Sequence, residues 1–192
     1  MVIAPVIAKL REGDEKAFRE LVDQYRDRVY NTALGLLQHP ENAEDVAQEV
    51  FLEVFRSVAR FRGECSISTW IYRITVQKAL EHIRSAHRGK RFGIHISLSG
   101  KEDQVDLPAD TLFYHPGIQL ENKERSAILF QAISKLPVNQ RTAFILHKVE
   151  GLTQTEIAGI METSVSAIES LMVRARQKLK ELLSEYYEKN ER

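Results

Sequence analysis

The residues best suited to nucleic-acid chemistry lie close to the end of the chain. Arg174, Arg176, Lys178 and Lys180 place four cations in one helical stretch. Such side chains bind phosphate oxygens, while residues at the start of the same helix can reach base edges in the major groove. The spacing also allows a plain helical hairpin with a solvated basic face, so both interpretations stay open at this point.

A short capped helix precedes that basic stretch. Thr153-Gln154-Thr155-Glu156 has the form of a capping box, in which the threonine hydroxyl and the glutamate carboxylate satisfy free backbone amides. A tight turn is predicted at Glu162-Thr163, followed by a long helix that starts at Ser164 or Ser166. This spacing is typical of a helix-turn-helix.

Three helices are predicted in the first half. The first runs from an N-cap at Asp14 to a stop at Pro40, and Asn42 is expected to cap the second. The second helix repeats valine every turn, at positions 46, 50, 54 and 58, with Ala47, Phe51 and Phe55 assigned to the same buried side. The third extends from Ser66 to about Ser85, and together they can close a small core.

Helical periodicity stops between Gly89 and Leu120, where glycine, serine, proline and aspartate dominate. It resumes at Glu121, breaks at Pro137, and ends again at Gly151. No strand pattern competes. The sequence therefore predicts an all-α fold with two small helical domains: an N-terminal bundle over residues 1–90, a flexible linker over 91–120, and a four-helix domain with a helix-turn-helix over 121–188.

Composition bounds the possible functions. Basic and acidic residues number 27 each, so nucleic-acid binding has to be inferred from local patches. Cys65 is the single cysteine, which excludes an internal disulfide and favours a reducing cytoplasm. The apolar start, Met1 to Leu10, lacks a basic leader, and no stretch is long and apolar enough to predict a membrane span. The six histidines show no metal-ligand spacing and no glycine-rich phosphate loop occurs, so no catalytic residue, metal or cofactor is expected.

Two sets of motifs resemble the extracytoplasmic-function sigma factors of bacterial RNA polymerase. Residues 44–51, then Phe61-Arg62-Gly63 and residues 69–74, are similar to region 2 of that family. Leu136-Pro137, Arg141 and residues 151–152, 156–158 and 174–176 are similar to region 4. The resemblance implies a non-enzymatic factor that gives core polymerase its promoter specificity.

The resemblance also implies three binding sites. A charged face of the second helix, opposite the valines, would dock on the β′ clamp of core polymerase, although a merely solvated face is the ordinary alternative. The third helix and the segment before it would hold the −10 element, and the last helix would read the −35 element. The core-polymerase residues are Asp45, Gln48, Glu49, Leu52 and Glu53; the −10 residues are Phe61, Arg62, Gly63, Ser68, Arg73, Gln77, Arg84 and Arg88; the −35 residues are Thr153, Ser166, Glu169, Ser170, Arg174, Arg176 and Lys178.

The chain departs from the family pattern at several of these positions. Gln77 stands where relatives usually carry asparagine, and Glu81 where they carry aspartate. Glu169 and Leu171 replace residues that are typically basic. Glu169 could complete a second capping box with Ser166, or accept a hydrogen bond from cytosine N4.

The expected partners are core RNA polymerase, through its β′ clamp and β flap, promoter DNA, and an anti-sigma factor of the kind that is often membrane-anchored. The factor would act as a monomer within the holoenzyme, in the cytoplasm or recruited to the inner membrane. Two alternatives stay open: a two-domain repressor or activator that dimerises on a palindromic operator, and a sigma-like adaptor that no longer reads the −35 element.

Overall fold

The computed structural model describes the backbone of residues 3–93 and 123–190, and the side chains of residues 7–86, 127–184 and Tyr186. Every regular element in these ranges is helical, which confirms the all-α prediction. The helices are α1 (Ile3–Arg11), α2 (Glu15–Leu37), α3 (Pro40–Ser57), α4 (Ile67–Gly93), α5 (Lys123–Ser134), α6 (Val138–Lys148), α7 (Gln154–Met161) and α8 (Val165–Asn190), with a 3-10 turn at Val58–Arg60 after α3.

The ends of α2 follow local capping chemistry. The Asp14 carboxylate accepts hydrogen bonds from the backbone N–H groups of Lys16 and Ala17, as its predicted N-cap role requires. Gln38 ends the helix in the left-handed conformation, with φ of 58°. The prediction that Asn42 caps the next helix is wrong, because Pro40 already occupies its first turn.

The first-half core is built on the valine repeat. Val46, Val50 and Val54 on α3 are at most 1% exposed and lie against α2 and α4. The assignment of Phe55 to this buried side is wrong, since its ring is 55% exposed. The apolar start of the chain forms part of α1, where Leu10 is buried. None of the described helices combines the length and apolarity that crossing a bilayer would take.

The second half forms around α6, α7 and α8. Pro137 is the N-cap residue of α6, and Gly151 takes a φ of 71° after that helix ends. The capping box at Thr153 is present as predicted, and Glu162 forms the turn before α8 with φ of 53°. A core from all three helices closes this half, including Ile145, Ile157, Ile168 and Met172.

The two helical halves are in contact. Helix α6 lies on the C-terminal part of α2, and α7 lies on α4. Helix α4 continues beyond the predicted end near Ser85, to Gly93, so it takes in the first three residues of the predicted linker. The remainder of that linker, residues 94–120, lies outside the described residues.

Candidate nucleic-acid and protein interfaces

The predicted docking residues on α3 share one accessible face, here called the α3 outer face: Asp45, Gln48, Glu49, Leu52 and Glu53. Leu52 is 54% exposed, while Glu53 is half-buried. The carboxylate of Glu49 lies 3.9 Å from the Lys78 ammonium of α4. The valine repeat fixes this orientation, since burying one side of a helix turns the other to solvent.

Phe55 extends that face and was missed by the sequence reasoning. Its exposed ring stacks edge-on against Phe18, with centroids 5.1 Å apart. The sequence did hold a signal for Phe55: it lies three positions after Leu52, and residues three apart share one side of a helix. An apolar centre with acidic neighbours is suited to a partner that is both basic and apolar.

The segment before α4 contributes less accessible surface than its motif suggested. Phe61 is 5% exposed and packs against Trp70 with centroids 4.9 Å apart, and its carbonyl accepts a hydrogen bond from Arg11. This ring therefore belongs to the core of the free chain. Arg62 is exposed, 3.8 Å from Glu64, and Gly63 takes a φ of 78°. Ser68 is half-buried and bonded to Ser66.

Three predicted −10 residues of α4 line one cleft of about 290 Å³: Arg73, Gln77 and Arg84. Its opposite wall comes from α7, through Ile160 and Met161. The Arg73 guanidinium donates to the Gly159 carbonyl at 2.7 Å, and the Gln77 amide donates to Glu81 at 3.1 Å. The lining of the cleft therefore combines the cations of Arg73 and Arg84 with apolar side chains and the carboxylate of Glu162. The Arg88 side chain lies outside the described residues.

Thr153 is engaged in the cap of α7. Its backbone N–H donates to the Glu156 carboxylate at 2.9 Å, and its hydroxyl lies 2.7 Å from the same carboxylate. The backbone bond and then the hydroxyl bond lower the pKa of Glu156. The first role of Thr153 is thus to fix the start of the helix that supports α8.

Helix α8 presents a defined outward face. Ile168, Met172, Ala175 and Leu179 are buried, so positions half a turn away point to solvent. That outward face is here called the α8 outer face, and it consists of Ser166, Ser170, Val173, Arg174 and Gln177. Three of these residues, Ser166, Ser170 and Arg174, were predicted to contact the −35 element. Val173 was missed, although it is 56% exposed, because an isolated valine in a helical repeat gives no signal of its own.

The remaining predicted −35 residues flank the α8 outer face. Arg176 and Lys178 are exposed, and Lys178 lies 3.4 Å from Glu181. The hypothesis that Ser166 and Glu169 form a capping box is wrong, since Ser164 supplies the cap by accepting from the Ala167 N–H at 3.2 Å. Glu169 itself is exposed beside the face, which leaves its carboxylate available for a partner.

The described ranges hold no group of three or more histidine, cysteine or acidic side chains placed to bind an ion. The three surfaces differ in character instead. The α3 outer face is apolar and acidic, whereas α4 and α8 carry cations next to neutral polar groups. Such a division suits one protein partner and two nucleic-acid contacts.

Comparison with known protein families gives two matches in chain order. The model of Sigma-70 region 2 matches residues 21–89, and the model of Sigma-70, region 4 matches residues 123–179. The RNA polymerase sigma-H factor of Pseudomonas aeruginosa is 30% identical over 188 residues, which cover 93% of this chain and 92% of the relative. The ECF RNA polymerase sigma-E factor of Haemophilus influenzae is 31% identical over 177 residues, with 90% of both chains covered.

Solved structures show the same fold. CnrH, in complex with the cytosolic domain of CnrY, has a TM-score of 0.68 at 20% identity, covering 95% of this chain and 97% of that one. The sigma factor RpoE of Bartonella quintana, in complex with the anti-sigma factor NepR, has a TM-score of 0.65 at 22% identity, covering 88% and 98%. Both similarities span the two helical halves.

Proposed function

The chain belongs to the extracytoplasmic-function sigma factors of RNA polymerase, and from that premise we propose how its surfaces divide the work of promoter recognition. The first half binds the core enzyme and the −10 element, and the second half reads the −35 element. The domain limits proposed for these roles are residues 1–90 and 121–188. The chain itself catalyses no reaction and acts in the cytoplasm.

The α3 outer face is the proposed docking surface for the β′ clamp. The observation that carries this proposal is an exposed leucine and phenylalanine, Leu52 and Phe55, set among acidic side chains on one helix face. Apolar groups at the centre of such a surface supply most of the binding free energy, and the charged rim selects a complementary, basic partner. The β flap is the proposed partner of the second half.

The −10 element is assigned to α4 and the segment before it. Arg73 and Arg84 offer cations for phosphate oxygens, and Gln77 offers an amide to a base edge. Phe61 stabilises the segment from inside the core, while Arg62, Gly63 and Ser68 stand nearer to solvent. Strand separation at this element would expose bases that α4 then holds.

The −35 element is assigned to the α8 outer face. With α8 in the major groove, Ser166, Ser170 and Arg174 would approach base edges and phosphates. Arg176 and Lys178 add flanking phosphate contacts. Neither half needs a high DNA affinity alone, because joining both through one polymerase makes the second contact intramolecular.

Control by an anti-sigma factor is part of the proposal. Of the two solved structures compared above, one is a complex with the cytosolic domain of CnrY and the other a complex with the anti-sigma factor NepR. An inhibitor that covers the α3 outer face would prevent association with core polymerase. A membrane-anchored inhibitor would bring the factor to the inner membrane.

Run-off transcription tests the proposed function directly. Purified chain and core polymerase are incubated with a promoter library randomised at the −10 and −35 elements. A sigma factor yields transcripts only when both proteins are present, and the transcribed promoters share both elements. A repressor or activator would protect a palindrome without polymerase, and an adaptor that has lost −35 reading would enrich the −10 element alone.

A further inference from the structure

A lysine on α4 links the α3 outer face to the proposed −10 surface. The Lys78 ammonium lies 3.9 Å from the Glu49 carboxylate of the α3 outer face and 3.6 Å from the Glu81 carboxylate of α4. The Lys78 side chain is 25% exposed, whereas the two acidic side chains are 58% and 49% exposed. The cation is therefore held partly inside, between two more accessible carboxylates.

The second oxygen of Glu81 has a different partner. Glu81 Oε1 accepts a hydrogen bond from the Gln77 amide nitrogen at 3.1 Å, while Oε2 is the atom that lies near Lys78. Residues four apart share one side of a helix, which is why Gln77 and Glu81 meet. One carboxylate thus connects an ammonium group with the amide that the proposed function assigns to a base of the −10 element.

This arrangement decides which end of the Gln77 amide is turned away from the helix partner. An ionised carboxylate accepts hydrogen bonds but has none to donate, so it attracts the amide NH2 group and repels the amide oxygen. With Nε2 directed at Glu81, Oε1 lies on the opposite side of the amide group, in a residue that is exposed. An amide oxygen needs a donor, and the donor that a base edge offers is an amino group.

Fold stability is a poor explanation for these contacts. Ion pairs between accessible side chains add little to the free energy of unfolding, because water and salt screen them. A carboxylate beside a DNA-binding residue is also unfavourable, because DNA carries one negative charge on each phosphate. The nearby Lys78 ammonium offsets that repulsion, which allows Glu81 to stay next to Gln77.

We propose that Glu81 is a positioning residue that sets the base preference of Gln77, and that Lys78 is its counter-ion. The inference rests on the proposed function, since Gln77 is assigned to the −10 element. Held in this way, Gln77 accepts a hydrogen bond from the amino group of adenine or cytosine. Guanine and thymine carry a carbonyl oxygen at the corresponding position, which the Gln77 oxygen repels. One −10 position is therefore read as amino against carbonyl.

Selection from the promoter library of the run-off assay tests this assignment. With the wild-type chain, adenine and cytosine should be enriched about fivefold over guanine and thymine at one −10 position. Glu81→Gln should reduce that enrichment to less than about twofold, because an amide at position 81 both donates and accepts and so no longer fixes Gln77. Glu15→Gln is the matched control, since Glu15 forms an exposed ion pair with Arg19 on α2, and it should keep the wild-type preference.

A double-variant cycle separates positioning from a merely structural role. Gln77→Ala should abolish the amino preference, and adding Glu81→Gln should then change nothing further, because the positioned group is already absent. The inference is overturned if Glu81→Gln keeps the preference, or if it still alters promoter selection in the Gln77→Ala background. Wild-type transcripts without an amino preference at any −10 position would also overturn it, whereas the absence of all transcripts would mean that the proposed function itself fails.

The counter-ion role has its own readout. Lys78→Met should lower transcription from all selected promoters about threefold, because the Glu81 carboxylate is then uncompensated beside DNA. Adding Glu81→Gln should restore the yield but not the base preference. Lys78→Arg keeps the charge and should retain both. A yield that stays low in the Lys78→Met, Glu81→Gln chain while circular dichroism shows it to be folded, or a loss of yield in Lys78→Arg, would contradict this role.

Discussion

The Arg141 guanidinium donates a hydrogen bond to the carbonyl of Leu36, 2.7 Å away and 105 positions earlier in the chain. Its other terminal nitrogen donates to the carbonyls of Ser134 and Leu136 at 2.7 and 3.2 Å. One side chain thus satisfies carbonyls at the end of α2, at the end of α5 and in the turn that follows α5. Helix ends leave such carbonyls without internal partners, so a half-buried guanidinium with several donors is well matched to them.

Arg141→Met is expected to lower the free energy of unfolding by about 2 kcal/mol, because buried carbonyls would lose their donor. Urea denaturation followed by circular dichroism measures the change. Lys135→Met is the matched control, since it removes an exposed cation from the same turn and should change stability little. Equal effects of the two substitutions would show that Arg141 contributes only its charge.

Leu52→Ala should weaken binding to core polymerase about tenfold, corresponding to the ~1.4 kcal/mol that a moderately important interface side chain supplies. Phe55→Ala should act in the same direction. Fluorescence anisotropy with labelled chain and no DNA provides the measurement. Val173→Ala serves as control, because Val173 is as exposed as Leu52 but lies on the α8 outer face. An unchanged affinity of Leu52→Ala would exclude the α3 outer face as the docking surface.

Thr153→Ala should destabilise the second half by about 1 kcal/mol, since the side chain that accepts from the Glu156 N–H is lost. Thermal unfolding of the full chain reports the loss. Thr155→Ala, two positions later on the exposed side of α7, should have a smaller effect. DNA binding should decline only in proportion to the unfolded fraction, because the proposed major-groove contacts lie on α8.

Lowering the pH should remove part of the contribution that ionised Glu156 makes to the free energy of unfolding. Its pKa is lowered in the folded chain, first by the Thr153 backbone N–H and then by the Thr153 hydroxyl. A carboxyl group whose pKa is lower in the folded chain than in the unfolded chain stabilises the fold at any pH above its unfolded-state pKa. This stabilisation is lost as the pH falls through the pKa of the folded state. Glu156→Gln should therefore be less stable than the wild type at pH 7, with a difference that shrinks below about pH 4. A difference constant with pH would contradict this role.

Local patterns account for much of the fold. The valine repeat predicted the buried side of α3, and Thr153 with Glu156 predicted the start of α7, because both signals act within one or two helical turns. The start of α3 was misplaced at Asn42. Gln38 already ends α2 in the left-handed conformation, so the next helix can begin two residues later, at Pro40.

Such local patterns could not predict contacts between residues that are far apart in the sequence. Tyr72 and Glu150 are 78 positions apart, and nothing in the sequence near either residue indicates that they meet. Phe61 is a separate case: its motif suggested an accessible site, although its ring is 5% exposed and packs on the nearby Trp70. Burial depends on which helices come together, and this is decided by the whole core.

Glu169→Gln tests whether the carboxylate beside the α8 outer face takes part in reading DNA. A carboxylate accepts from cytosine N4 but repels phosphate, so its neutralisation should raise affinity for all duplexes and reduce preference for cytosine at one −35 position. A discrimination of about 1–3 kcal/mol is expected from one such contact, which selection from the promoter library would detect. Glu181→Gln, three turns later and beside Lys178, should leave the base preference unchanged. If Glu169→Gln raises affinity without altering any preference, the carboxylate acts only through repulsion, and the −35 sequence is read by the neighbouring Ser170, Val173 and Arg174.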